Sequence, residues 1–178
     1  MLVAVDNTGE VVWYYKAPQS VSDARRRQNG NLLYRTGRAG PLTVLMFDNG
    51  NDRARPFEEL TLPSDSFSRA VEYSIDEDNM EVTQVWSFGG PGDEPFFARF
   101  LGDADWMPQT GNVLINYGGL VSDAAGTPMV EGSGHNWVRI VEVTHDTPAE
   151  TVFELFIDDE RPAGWSVFRA ERLPSLYP

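Results

Sequence analysis

The sequence predicts an all-β protein, a β-propeller-like array of antiparallel four-stranded blades numbering about three to four. Three observations carry this expectation. Short runs rich in β-branched and aromatic residues alternate with Asn, Asp and Gly turns. The same order of signals recurs along the chain: a strand, an acidic turn, an aromatic strand, a loop, then a strand beside an Asn-Gly turn. No stretch carries the periodicity of a long helix; Val21 to Gln28 could form a short one, stopped by Asn29-Gly30. An antiparallel sandwich with similar hairpins is the competing architecture. Repetition of order, and not only of composition, favours blades.

The elements follow in chain order. Val3-Ala4-Val5 and Val11-Val12-Trp13-Tyr14-Tyr15 flank Asn7-Thr8-Gly9, which reads as a hairpin. Asn29-Gly30 precedes Leu32-Leu33-Tyr34, a second hairpin signal, and Thr43 to Phe47 is an apolar strand ending at Asp48-Asn49-Gly50-Asn51. Ala70 to Ile75 alternates, turns at Asp76-Glu77-Asp78-Asn79 and resumes as Met80 to Phe88. Asp103 to Pro108 leads through Thr110-Gly111-Asn112 into Val113 to Tyr117. The last copy is Val138 to Thr144, the turn His145-Asp146-Thr147-Pro148, then Thr151 to Ile157, ending with Trp165 to Leu173. Residues 52–68, 89–101 and 120–136 read as long polar loops, a usual place for function. Within this reading His145 is a solvated turn residue, and the five tryptophans plug blade cores.

The 178 residues predict one domain over 1–178, with an N-terminal blade portion at 1–40 and C-terminal blades at 41–178. Hydrophobic residues make up 41% and charged residues 23%, which excludes a wholly disordered chain. The net charge of −13 argues against a nucleic-acid partner, because a groove that tracks phosphates is basic. Lys16 is the single lysine, so the basic groups are almost all arginines, whose planar forks suit oxyanions. No apolar run approaches the ~18 residues of a membrane-spanning helix. The N-terminal Met-Leu-Val-Ala-Val-Asp has neither the basic nor the apolar region of a signal peptide, and the compartment is left open. Without cysteine there is no thiolate ligand, cysteine nucleophile or disulfide. Asp48, Asp52, Asp76 and Asp78 lie in acidic turns, but Asp48 to Asp52 lacks the glycine placement of a calcium loop. No metal or cofactor is expected.

Four ordered segments resemble the arylsulfate sulfotransferase family. They are Phe47-Asp48-Asn49-Gly50-Asn51-Asp52-Arg53, Phe67-Ser68-Arg69-Ala70-Val71-Glu72-Tyr73, Met80-Glu81-Val82-Thr83-Gln84-Val85-Trp86 and Thr110-Gly111-Asn112-Val113-Leu114-Ile115, with Phe168-Arg169-Ala170 closing the series. The resemblance covers residues 43–173. It implies a six-bladed propeller that moves a sulfuryl group from a phenolic sulfate ester to another phenol, through a sulfated histidine and without the nucleotide sulfate donor. Many members act outside the cytoplasm. The partners implied are a small aryl sulfate and a phenol. Six blades of about 40–45 residues exceed this length, so the chain reads as shortened, with central blades missing. Unpaired blade edges then predict homo-oligomers. A family histidine is expected soon after Gly118-Gly119, where Leu120-Val121-Ser122 stands.

The resemblance implies these roles. His135, in Gly132-Ser133-Gly134-His135-Asn136-Trp137, is the candidate catalytic nucleophile, or else an exposed loop histidine. Arg69 and Arg53 are candidate substrate-binding groups, since fixed cations stabilise charge on the oxygens of a transferring sulfuryl group; each could equally pair with a nearby acid. Asn49 could donate to a sulfate oxygen or serve its turn, and Arg169 could line a funnel. Two functions stay open: a sulfuryl-transfer enzyme, and a non-catalytic propeller fragment that binds or assembles.

Overall fold

The computed structural model describes residues 2–6, 8–15, 34–35, 42–51, 65–76, 78–92, 96–129, 133–159, 161 and 163–173. Arg53 and the short helix read over residues 21–28 lie outside the described residues. Two compact units are present, Met1–Asn31 and Leu32–Pro178.

The first unit holds strands β1 (Leu2–Val5) and β2 (Val11–Tyr15), paired antiparallel with an irregularity between Ala4 and Val5. Asp6 closes the turn. Its carboxylate accepts from Thr8 N at 2.9 Å, Thr8 Oγ1 at 2.6 Å and Glu10 N at 3.0 Å, while Gly9 takes φ 86°. This is an Asx-type turn, which is why Asp stands before the Asn-Thr-Gly run.

The second unit is two antiparallel four-stranded sheets. The first comprises β3 (Tyr34–Arg35), β4 (Leu42–Asp48), β5 (Arg69–Asp76) and β6 (Glu81–Phe88). The second comprises β7 (Asp103–Met107), β8 (Asn112–Ser122), β9 (His135–Val143) and β10 (Thr151–Ile157). In both sheets the spatial order is the chain order, so each is a meander. Sequential four-stranded meanders are propeller blades, and the fold is all-β and propeller-like as the repeats predict. Among the described residues there is no helix, and none is long and apolar enough to cross a membrane.

Strand alternation builds the contact between the sheets. Ala70 and Glu72 face one way, opposite Phe47 and Leu45 on β4 and Phe88 and Trp86 on β6. This face packs on Ala104, Val113, Ile115, Tyr117, Val141 and Val143 of the second sheet. The second sheet is buried on its other face as well. There Leu114, Val138 and Ile140 pack against Leu155, Ile157, Trp165, Val167 and Ala170. Two-sided burial explains the near-continuous apolar run of β8, whose residues from Val113 onward are all buried.

Two expectations change. The strand expected to stop at Tyr117 continues to Ser122, and the register shifts between Tyr117 and Leu120. Gly118 and Gly119 occupy that shift. A Cβ on Gly118 would fall 1.9 Å from Val167 O, and one on Gly119 would fall 2.1 Å from Phe100 O. The glycines do not end the strand; they admit two other backbones to it. The second change concerns Trp165 to Leu173, read as the closing strand of the last repeat. It runs irregularly along the second sheet, with Val167 N donating to Gly118 O at 3.0 Å and Trp165 N to Asn136 O at 2.8 Å.

Candidate functional site

Arg69 starts β5 on the face away from the second sheet, paired in register with Asp48. Its guanidinium donates from Nε to Asp48 Oδ2 at 3.1 Å, from NH1 to Gln84 Oε1 at 3.0 Å and from NH2 to Tyr73 Oη at 3.3 Å. All three nitrogens are therefore engaged within the blade. Asn49 follows Asp48 directly, so the fold brings the two candidates together at one strand end. The Asn49 side-chain amide, however, donates to Ala98 O and Leu101 O, each at 2.7 Å. Ser68 completes the knot: its hydroxyl donates to Asn49 O at 2.8 Å and accepts from Ala98 N at 2.8 Å. Asn49 thus ties the segment before β7 to the end of β4.

Arg169 lies elsewhere, on the far face of the second sheet. Its Nε is 2.7 Å from Asp103 Oδ2. Asp103 and Asp105 sit two apart on β7 and so project from one face, with Arg169 and Glu171 nearby. Burial first, and then the Asp103 charge, push the Asp105 carboxyl up to about 7, against the pull of Arg169. Spacing on one strand signals this acid pair, which sequence reading passed over.

His135 opens β9 opposite Ser122, the last residue of β8. Ser122 lies five residues beyond Tyr117, roughly 17 Å along a strand, so His135 stands at the far end of the sheet from the residues around Tyr117. It lines an open cavity of about 820 Å³ with Ser122, Ser133, Asp158, Asp159 and Arg161. His135 Nε2 contacts Asp158 Oδ1, and this hydrogen bond raises the imidazole above its ordinary pKa. Arg161 pairs with Asp159 and stacks over Trp165, 4.2 Å from the ring centroid. The second nitrogen of His135 is the one that could attack an electrophile, and only from the unprotonated ring.

His145 is not a solvated turn residue. It reaches from the β9–β10 turn to Glu72, Nε2 to Oε2 at 2.6 Å, and stacks on Trp86 at 4.8 Å with Trp106 edge-on at 5.2 Å. Trp86 Nε1 in turn donates to Asp146 O at 3.1 Å. Arg139, itself buried, pairs through Nε with the exposed Glu154 Oε1 at 2.6 Å and lies over the Phe96 ring at 4.3 Å. Single-residue reading offers no signal for either pair, because each partner comes from another strand.

The candidates therefore fall in three places: Arg69 with Asn49, Arg169 with the acid pair, and His135 with Asp158. The sequential antiparallel meander sheets make the chain first an all-β protein of propeller-like fold. Comparison then specifies the family. The arylsulfotransferase (ASST) family profile matches residues 35–169, and the chain belongs to that family. It is 33% identical over 79 residues to the arylsulfate sulfotransferase AssT of Escherichia coli O6:H1 (strain CFT073), a match covering 44% of this chain and 13% of that protein. It is 30% identical over 88 residues to the arylsulfate sulfotransferase AssT of Lelliottia amnigena, covering 49% of this chain and 14% of that protein. The chain thus matches about one-seventh of the length of these relatives.

Proposed function

We propose that this chain performs sulfuryl transfer from a phenolic sulfate ester to a phenol, with His135 as the group that carries the sulfuryl. The observation that carries the reading is family membership over residues 35–169. In the first step an unprotonated His135 nitrogen attacks sulfur, the S–N bond forms, the S–O bond to the aryl group breaks, and phenolate leaves. In the second step an acceptor phenol oxygen attacks sulfur, the S–N bond breaks, and the phenol proton passes to solvent. The negative charge shared by the equatorial oxygens needs fixed cations. Arg161 is the arginine that lines the His135 cavity. Arg69 with Asn49, and Arg169, lie away from that cavity and are engaged by Asp48, by Ala98 and Leu101, and by Asp103 respectively, so in this reading they hold the blades and not the sulfuryl group on His135; Arg53 lies outside the described residues.

A second reading is a non-catalytic blade fragment that binds or assembles. The engaged donors of Arg69 and Asn49 favour it. The test is an assay with a chromogenic aryl sulfate donor and a phenol acceptor. Turnover that is lost in His135→Ala and rises with pH as His135 deprotonates supports the transferase reading. Turnover insensitive to that change removes His135 from the reaction, and absence of turnover in the unaltered chain leaves the binding module.

A further inference from the structure

The far face of the second sheet carries more acceptors than donors. Asp103 and Asp105 project from β7, and Asn116, which faces Asp103 across the β7–β8 pair, projects beside them. Asn116 is 1% exposed; its Nδ2 donates to Val167 O at 3.0 Å, while its Oδ1 is buried without a hydrogen-bond partner. Arg169 brings one positive charge to Asp103, and Glu171 adds another negative one close by. Farther along the face, Arg172 meets the buried Glu142 of β9, whose Oε1 also accepts from Asn112 Nδ2 at 2.7 Å. Every one of these cations comes from the irregular segment after Trp165. That segment is also the apolar cover of the face, through Trp165, Val167 and Ala170.

We propose that Asp103, Asp105 and Arg169 form a proton-dependent latch that fastens the segment Trp165 to Arg172 to the second sheet, closed with one carboxyl protonated and loosened when both are ionised. With one proton held between the acids, Arg169 balances the remaining charge. With both ionised, two buried carboxylates and Glu171 face one guanidinium. Burial and the neighbouring charge oppose that state more than Arg169 favours it. Water relieves it, and water reaches the pair when the covering segment lifts. The charged groups nearest Asp105 are Asp103 on its own strand and Arg169 and Glu171 on the segment; β8 presents Leu114 and Asn116, which do not titrate, and beyond Leu114 on β9 stands Glu142, paired with Arg172 of the same segment.

Amide hydrogen exchange on the full chain tests this, read as protection relative to the unfolded rate at about pH 5 and about pH 9. The expected result is that protection of residues 165–172 falls at least tenfold, roughly, at the higher pH while β8 and β9 keep theirs. In Asp105→Asn, where the second charge cannot form, the segment should stay protected at both values. Protection in the unaltered chain that ignores pH overturns the latch. So does the same fall in Asp105→Asn, or a fall shared by β8 and β9, which would be global unfolding.

Discussion

His145 Nε2 lies 2.6 Å from Glu72 Oε2, and the two residues belong to different blades. Glu72 is 2% exposed and stands in β5 among residues that form the apolar contact between the sheets. A carboxylate there needs a partner, because burying an uncompensated charge is costly. The partner comes from a turn 73 residues away, wedged between Trp86 and Trp106. One pair thereby joins the two sheets through a polar contact as well as packing.

The first prediction follows from that pair. His145→Ala strands the Glu72 carboxylate and opens a gap between two indoles, costing about 3 kcal/mol of stability. Glu72→Gln keeps an acceptor for the ring and costs less. Urea unfolding midpoints check this; an unchanged midpoint in His145→Ala would show that Glu72 reaches solvent on its own.

Gly118→Ala should also destabilise, by about 2–3 kcal/mol, because the new methyl meets backbone and not the end of a flexible side chain. The displaced group is Val167 O, so the bond it accepts from Asn116 Nδ2 is disturbed together with the one from Val167 N to Gly118 O. Thermal unfolding measures the loss. A neutral substitution would mean that the segment at Val167 is not held against β8.

Asp105→Asn should stabilise the protein at alkaline pH. The folded carboxyl binds its proton more tightly than the unfolded one, about 7 against 3.8. Stability therefore falls as pH rises between those values and is level above them. Asparagine escapes that penalty, so its advantage should be on the order of 3 kcal/mol at about pH 8 and vanish near pH 4. Denaturation at both pH values reads it directly. An advantage independent of pH would place its origin outside the titration.

These residues also show what was legible in the sequence. The hairpins at Asp6 to Glu10 and Asp76 to Glu81 were readable because each turn is closed by its own Asp within a few positions. The blade strands were readable by alternation, and family motifs singled out Arg69 as a candidate. What Arg69 touches was not, since Asp48 and Gln84 arrive by register. Gly118-Gly119 suggested a strand end from local propensity, yet burial of β8 on both faces carries the strand through. His145 read as solvent-facing because its partner is a strand of another sheet. Local signals set the elements; the charged pairs depend on tertiary placement.

The last prediction concerns His135. Its ring is raised above the ordinary value of 6.5, chiefly by the hydrogen bond with Asp158. A histidine raised by folding contributes stability below its unfolded value, and that contribution is lost as pH rises through the folded one. The same shift sets the chemistry: the pairing keeps the imidazolium, which cannot attack sulfur, to higher pH than an ordinary histidine would. Asp158→Asn should therefore lower the His135 pKa and lower the pH at which the free ring nitrogen becomes available. Ring-proton NMR can follow this, because the chain has only two histidines and a His135→Gln variant identifies the signal of the other. The expected outcome is a His135 titration that moves to lower pH in Asp158→Asn. An unmoved His135 midpoint would show that Asp158 does not control its protonation. Any pH dependence of sulfuryl transfer would then have to arise from another group in the cavity.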